Sequence, residues 1–288
     1  MKLFTEIEVP QTGISVALQD RVVLLGSCFS DSIGAHLRDA GFNVCANPFG
    51  TLYNPASIAS AVGRLDSGKP FTEEDCVEMG AGAGLICSYE HHTSFARASR
   101  EEFRENANAQ LEEAASFWRS SNKVIITLGT AWVWKTLSRD GQVVSNCLKR
   151  PAAEFARERL TVAQCAALLK EIMGSHPEKQ FILTVSPIRH LSDGAHANTL
   201  SKSTLHLGIE EALASCRNAC YFPAYEILMD ELRDYRFYDR DLVHPRDIAV
   251  DCIWEKFIAA FVPEDDIAGL RAGEKASVRA RHRSILKA

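Results

Sequence analysis

The segment Val22–Phe42 constrains the fold of this 288-residue chain most strongly. It consists of a short apolar run that is followed at once by a helical pattern. Val22–Leu25 and the closing Gly26 are typical of a strand buried on both faces of a parallel sheet. Ser30 is the predicted N-cap of the next helix. Cys28 lies between them, where free N–H groups at a helix start can stabilise a thiolate or an oxyanion. We expect a nucleophile that titrates below about 8.5, although a small buried cysteine fits the same position.

Further apolar runs alternate with helical patterns along the chain. The predicted strands are Val22–Leu25, Asn43–Ala46, Val124–Leu128, Phe181–Val185 and Ala219–Phe222. Helices are predicted at about 31–40, 55–65, 98–119, 161–174, 198–216, 223–234 and 246–261. This alternation predicts an α/β fold, a doubly wound, flavodoxin-like α/β/α sandwich with a mainly parallel five-stranded sheet plus insertions. Ligands of such sheets bind outside the carboxyl ends of the strands, where we expect Cys28, Gly50, Gly129, Ser186 and His244 to collect.

We expect a single domain over residues 1–263, followed by a C-terminal tail over 264–288. Insertions are predicted near 66–120, 131–150 and 186–218. Within the second insertion, Asp140-Gly141 lies between two β-rich runs and indicates a hairpin. The tail turns basic towards its end, as solvated tails often do, and is assigned no function.

Composition excludes several classes of protein. A net charge of −5 gives the chain no overall positive potential that would attract nucleic acid. No apolar stretch approaches the ~20 residues that a membrane-spanning helix needs. We expect no signal peptide, and nine cysteines without a C-x-x-C pair suit reduced thiols, which favours the cytoplasm. No cofactor is predicted, since the glycine run Gly80–Gly84 does not join a first strand to a helix as a dinucleotide-binding loop would. No metal is predicted either, because the adjacent side chains of His91 and His92, beside Glu90, are expected to point apart.

Two D-x-x-H segments are candidates for a general base and its orienting carboxylate. Asp241 and His244 lie directly before the last predicted helix, and an aspartate at this spacing can orient the imidazole and leave its other nitrogen free. Asp193 and His196 follow the fourth predicted strand and could reach the same cleft. The spacing alone leaves both pairs open.

The block Gly26-Ser27-Cys28-Phe29-Ser30 resembles the motif of the GSCFA family, within the SGNH (GDSL-like) hydrolase superfamily, with Ser30 where the family has alanine. The resemblance covers roughly Leu3 to Val262. Its further blocks are NPFGTLYNP (Asn47–Pro55), LGTAWVW (Leu128–Trp134), the Asn146-Cys147 pair, SPIRH (Ser186–His190) and LSKSTL (Leu200–Leu205).

The superfamily opens with Gly-Asp-Ser and closes with Asp-x-x-His before the last helix. This resemblance places Ser27 on the aspartate position, where its hydroxyl is expected to hydrogen-bond across the turn, and Cys28 on the nucleophile position. It also favours Asp241 and His244 over the D-x-x-H pair at Asp193 and His196.

The implied oxyanion donors are the amides of Cys28 and Gly50. The third superfamily block, Gly-x-Asn, is only Gly129-Thr130-Ala131 here, so Thr130 or Asn146 would have to supply the third donor. Arg189 and His190 are expected to bind substrate or to support their loop.

The resemblance therefore implies a hydrolase or acyltransferase that acts on an ester or thioester of a small or glycan-linked acyl group through Cys28, His244 and Asp241. A thioester intermediate slightly favours transfer over hydrolysis. The alternative is a non-catalytic glycan- or metabolite-binding protein with the same fold. A cysteine phosphatase is disfavoured, because the first arginine after Cys28 is Arg38, too far along for a tight phosphate loop. The oligomeric state is left open.

Overall fold

The computed structural model describes residues 4–138 and 141–285. Its strands are β1 (Arg21–Gly26), β2 (Asn43–Ala46), β3 (Val77–Glu78), β4 (Ile86–Cys87), β5 (Lys123–Leu128), β6 (Trp132–Thr136), β7 (Val143–Val144), β8 (Phe155–Arg159), β9 (Gln180–Val185) and β10 (Ala219–Tyr221). Its α-helices are α1 (Cys28–Asp39), α2 (Pro55–Ser67), α3 (Arg100–Ser120), α4 (Val162–Gly174), α5 (Ala195–Leu213), α6 (Ala224–Glu226), α7 (Asp247–Phe261) and α8 (Glu264–Ile285). A π-helical segment, Ile227–Leu232, continues α6.

The main sheet is parallel throughout, in the order β2-β1-β5-β9-β10. Renumbered within this sheet, the order is 2-1-3-4-5, that of a flavodoxin-like doubly wound fold. The fold prediction is therefore confirmed. The strand order reverses between β1 and β5, so the crevice that binds ligands in such sheets opens at the end of β1, directly before Cys28.

Successive residues of β1 face opposite sides of the sheet, so the apolar run supplies two cores. Val23 and Leu25 pack in the cluster that contains the buried faces of α2 to α5. Val22 and Leu24 pack in the cluster formed with α1, α7 and α8. Helices thus cover both faces and leave the ends of the strands as the accessible edge.

Helix α1 begins at Cys28, and its N-cap is Ser27 rather than the predicted Ser30. Gly26 has φ +147°, and a Cβ there would lie 2.2 Å from the Thr127 carbonyl oxygen, so only glycine lets β1 end in this turn. Ser27 is extended, and the Ser30 N–H donates to its carbonyl oxygen at 2.8 Å. The abrupt turn therefore makes Cys28 the first helical residue.

The segment expected to be a C-terminal tail forms α8, which packs on α1 and α7. Leu270 is fully buried, and Arg271 pairs with Glu255 of α7. Ser277 donates a hydrogen bond to Asp39 at the end of α1. This helix therefore contributes to the second core cluster.

An antiparallel sheet in the order β7-β6-β8 follows β5. Its pairs Trp134 with Val144 and Lys135 with Val143 confirm the predicted hairpin, although Asp140 of its turn lies outside the described residues. Neither β8 nor the small β3–β4 hairpin, whose connection carries the Gly80–Gly84 run, is predicted from the sequence. Over residues 4–138 and 141–285, no helix combines the length and the apolar character needed to cross a membrane.

Candidate functional site

A cleft of about 530 Å³ opens at the carboxyl ends of the central strands. Six of the predicted site residues line it: Cys28, Thr130, Asn146, Arg189, His190 and His244. Gly50 lines a second depression that also borders Cys28 and His244. The sheet edge thus brings together side chains that are more than 200 positions apart in the sequence.

Cys28 is partly buried at the start of α1. The main-chain N–H groups of Cys28 and Phe29 face its sulfur and, with the charge of Lys202, lower the pKa of the thiol. Burial and the nearby Asp31 carboxylate raise that pKa more strongly, so it lies above the ordinary value. The expectation of a lowered pKa is therefore wrong, because desolvation outweighs the helix start.

Asn47 holds the turn before Cys28. Its Oδ1 accepts from the Gly26 N–H at 2.9 Å, and its Nδ2 donates to Asp31 at 2.8 Å. Ser27 makes no such contact, because its hydroxyl is buried and has no hydrogen-bond partner among the described residues. The predicted hydrogen bond across the turn is thus made by Asn47, and Cys28 rather than Ser27 reaches the cleft.

His244 and Asp241 pair within the loop before α7. The imidazole Nδ1 lies 2.5 Å from Asp241 Oδ2, while Oδ1 accepts from the N–H groups of Val243 and His244 at 2.9 Å each. These contacts, led by the His244 N–H, lower the pKa of Asp241 to about 2. The carboxylate thus fixes the ring and leaves Nε2 available.

Both side chains of this pair are about half exposed. Cys28 and His244 share the cleft wall, but no hydrogen bond joins the sulfur to the imidazole within the described chain. Direct proton transfer requires the two groups to come within hydrogen-bond reach, and catalytic contacts of this kind often tighten only when a substrate binds.

The D-x-x-H segment at Asp193 and His196 does not form an Asp–His pair. Both carboxylate oxygens of Asp193 accept from the Arg157 guanidinium, and the Asp193 side chain is only 8% exposed. His196 lies exposed in the first turn of α5. Asp193 therefore belongs to the cleft wall, whereas His196 points to solvent.

Of the two backbone amides expected to serve as oxyanion donors, that of Gly50 already has an acceptor, so this expectation is wrong for Gly50, and the neighbouring amides of the third block are also occupied. The Gly50 N–H donates to Asn47 O at 2.7 Å, and the N–H groups of Gly129 and Thr130 both donate to Tyr53 O at 2.8 Å. Gly50 has φ +79°, and a Cβ there would lie 2.3 Å from that of His92, so its role is to admit this histidine.

The side chains proposed as the third donor have different surroundings. The hydroxyls of Thr130 and Ser201 lie 2.9 Å apart, and Asn146 Oδ1 accepts from the Leu148 N–H at 2.8 Å. Among the described residues, the Asn146 amide nitrogen makes no hydrogen bond. The N–H groups of Cys28 and Phe29 are the other donors, and they lie at the sulfur.

Arg189 and His190 follow β9 and line the same cleft. The His190 N–H donates to Asn198 Oδ1 at 2.9 Å, whereas its buried Nε2 has no partner among the described residues. Burial, followed by the charge of Lys202, lowers the pKa of His190 to about 4, so the ring is neutral near pH 7. Arg189 lies 5.5 Å over the ring of Tyr238.

One wall of the cleft is not predicted from the sequence. Trp132 and Trp134 occupy alternate positions of β6, and the Arg157 guanidinium of β8 lies 4.9 and 5.0 Å from their rings. The W-x-W spacing in the LGTAWVW block could have indicated two rings on one face. Arg157 could not be placed, because β8 was not predicted.

The Glu90-His91-His92 run does not converge on one point. Glu90 pairs with Arg64, and His92 Nδ1 lies 3.0 Å from Ser94 Oγ. His91 is buried among phenylalanine rings, and this burial lowers its pKa to about 3. It is a core side chain.

The sequence was compared with curated proteins and with protein-family models, and a family match covers the residues of this site. No curated protein matches the sequence. The GSCFA family model matches residues 21–257, a span that includes Cys28, the cleft-lining loops and the Asp241–His244 pair. The chain therefore belongs to the GSCFA family.

Proposed function

We propose that the protein is an SGNH-like enzyme that transfers or hydrolyses an acyl group carried as an ester or thioester. One observation carries the proposal: a cysteine at the start of α1 shares a cleft with an Asp–His pair whose ring is already oriented. This arrangement supplies a nucleophile, a base and an orienting carboxylate at one edge of the sheet.

In the proposed reaction, His244 Nε2 takes the proton of Cys28 while the sulfur attacks the acyl carbonyl carbon. Burial raises the pKa of the Cys28 thiol, which favours transfer of the proton during the attack over its loss beforehand. The N–H groups of Cys28 and Phe29 stabilise the tetrahedral oxyanion. The bond to the leaving alcohol or thiol then breaks, and His244 returns the proton to it.

The product of this step is an acyl thioester on Cys28. His244 next takes a proton from water or from an acceptor hydroxyl while that oxygen attacks the thioester carbonyl carbon. The C–S bond then breaks, the acyl product leaves, and His244 returns the proton to the sulfur. Water as acceptor gives hydrolysis, whereas a hydroxyl gives transfer. A thioester reacts readily with either.

The cleft supports a small or glycan-linked acyl substrate. Trp132 and Trp134 provide an apolar wall, while Arg157, Arg189 and Asn146 add polar groups. Sites of this kind hold an organic ligand by its apolar surface and orient it with a few polar contacts.

The nine cysteines are all free, which supports the proposal of a reducing, cytoplasmic location.

The second candidate function is binding without catalysis. It is favoured by the lack of a hydrogen bond between Cys28 and His244 in the described chain and by the exposure of the His244 ring. In that case the cleft would hold a glycan or an acylated metabolite, and the Asp241–His244 pair would only brace its loop.

Turnover of short p-nitrophenyl esters and of acyl thioesters tests the proposal. Cys28→Ala should abolish turnover, a loss of several orders of magnitude, whereas Ser27→Ala should retain it within about tenfold. Cys28→Ser tests whether a hydroxyl can replace the thiol. Turnover that survives Cys28→Ala and is lost in Ser27→Ala would contradict the assignment of the nucleophile.

A further inference from the structure

The second depression has a volume of about 600 Å³ and adjoins the cleft. Cys28, Tyr53 and His244 line both of them. The nucleophile and the base of the proposed reaction therefore lie where the cleft and the second depression meet. A carbonyl carbon held at the Cys28 sulfur has space on two sides, and an ester has two parts to place there, the acyl group and the alcohol.

The walls of the cleft and of the second depression differ in chemistry. The cleft carries the rings of Trp132 and Trp134 and the guanidinium groups of Arg157 and Arg189. Among the described residues, no tryptophan, lysine or arginine lines the second depression, and its carboxylate is that of Asp31. The cleft thus suits an apolar acyl group, whereas the second depression suits the alcohol part of an ester.

Polar side chains of the second depression are held in place but keep free hydrogen-bonding atoms. The Ser94 N–H donates to His92 Nδ1 at 3.3 Å, so this nitrogen is an acceptor and the proton of the neutral ring lies on Nε2. Asp31 Oδ1 accepts from Asn47 at 2.8 Å, and Gln110 Nε2 donates one helical turn back within α3 at 3.0 Å. No described residue forms a hydrogen bond with His92 Nε2, Asp31 Oδ2 or Gln110 Oε1. One donor and two acceptors are thus left for a ligand.

This set of groups fits a compound with several hydroxyl groups. A hydroxyl both donates and accepts, so it can bind a carboxylate or amide oxygen and the His92 Nε2–H at the same time. An anionic compound is disfavoured, because the Asp31 carboxylate would repel it and no lysine or arginine of the described chain lines the depression to offset this.

We propose that the second depression binds the alcohol side of the reaction, and that the acceptor is an uncharged, hydroxyl-rich compound such as a sugar. This deepens the proposed function and rests on it. The alcohol of the donor ester departs into this depression and the acceptor enters the same place, since the second step is the reverse of the first with a different alcohol. An acceptor held there favours transfer over hydrolysis.

In the transfer step, an acceptor hydroxyl loses its proton to His244 Nε2 while its oxygen bonds to the carbonyl carbon of the Cys28 thioester. The carbon–sulfur bond then breaks, its electron pair stays on the sulfur, and His244 returns the proton to that sulfur. The product is a new ester, and the enzyme is restored.

Product analysis with p-nitrophenyl acetate as donor, and glucose and glycerol as separate acceptors, tests this assignment. Mass spectrometry gives the ratio of acetylated acceptor to acetate, while p-nitrophenol release reports total turnover. In the wild type, we expect the ratio to rise with the acceptor concentration and to saturate. Gln110→Trp fills the depression from an exposed position of α3 and should lower the ratio about tenfold. The matched variant Glu105→Trp adds the same ring at an exposed position of α3 outside the depression and should keep the wild-type ratio.

Acetate as the sole product with both acceptors, or equal ratios in the wild type and Gln110→Trp, would contradict the acceptor site, while p-nitrophenol release still supported the proposed function. A ratio with glucose 6-phosphate that equals or exceeds the ratio with glucose would contradict an uncharged acceptor. Absence of p-nitrophenol release from the wild type would count against the proposed function itself.

Binding at the second depression can also be measured without turnover. In histidine-ring NMR of the Cys28→Ala protein, glucose should shift the signals of His92, whereas those of the exposed His196 should not move. Gln110→Trp in the same background should abolish the shift. A His92 signal that moves no more than that of His196 would contradict the acceptor site, even if the wild type turned over no ester.

Discussion

The two D-x-x-H segments have the same spacing and lie at the same edge of the sheet, but only one forms an Asp–His pair. Asp241 binds the His244 ring and the backbone of its own loop. Asp193 instead accepts two parallel hydrogen bonds from the Arg157 guanidinium and so does not pair with His196. The D-x-x-H spacing thus permits an Asp–His pair, but a competing partner of the aspartate, such as Arg157, decides whether the pair forms.

The largest expected effect separates the two histidines. If His244 is the base, His244→Ala should lower the turnover of an accepted ester about 100- to 10,000-fold. His196→Ala changes an exposed side chain of α5 and should keep the wild-type rate. Steady-state kinetics of both variants checks this, and the reverse ranking would move the site to the segment at Asp193 and His196.

The two aspartates provide the next test. Asp241→Asn should lower kcat about ten- to 100-fold, less than the about 10⁴-fold loss at a buried triad aspartate, because Asp241 is half exposed. Asp193→Asn should instead lower the free energy of unfolding by about 1–3 kcal/mol, since Arg157 loses its charged partner. Because Arg157 lines the cleft, a change in substrate binding should appear in KM, with little change in kcat. Kinetics combined with urea unfolding distinguishes the two outcomes. Equal losses of kcat would remove the distinction drawn between the segments.

The last expected effect concerns acid stability rather than activity. The pKa of His190 is about 4 in the folded protein, against about 6.5 when unfolded. Between these values the unfolded chain binds more protons, so the stability contributed by the neutral ring is complete above pH 6.5 and is lost as the pH falls towards 4. His190→Asn should therefore flatten the decline in unfolding free energy over this window, measured by urea titration at each pH. The exposed His196→Asn serves as control, and an unaltered slope in His190→Asn would contradict the buried neutral ring.

The sequence predicted the main sheet well, because continuous apolar runs such as Val124–Leu128 have few alternatives to a buried strand. It also predicted that Cys28 and His244 would line one cleft, since the ends of parallel strands meet. Local signals failed where tertiary contacts decide the outcome. Ser30 looks like an N-cap, but the close approach of Gly26 to β5 starts the helix at Cys28.

Long-range partners could not be predicted either. Asn47, rather than Ser27, holds the turn, and that contact spans 21 residues. Arg157 lies on β8, which no sequence pattern predicts, and only the pairing of β8 with β6 places it beside Trp132 and Trp134.

The most direct test of the central claim is to trap and locate the acyl group. The wild-type protein is mixed with p-nitrophenyl acetate, quenched in acid and mapped by peptide mass spectrometry. We expect one acetyl group on Cys28, absent in Cys28→Ala and formed much more slowly in His244→Ala, while His196→Ala matches the wild type. Acetylation of Ser27 in place of Cys28, or a rate on Cys28 that does not depend on His244, would contradict a thiol nucleophile activated by His244.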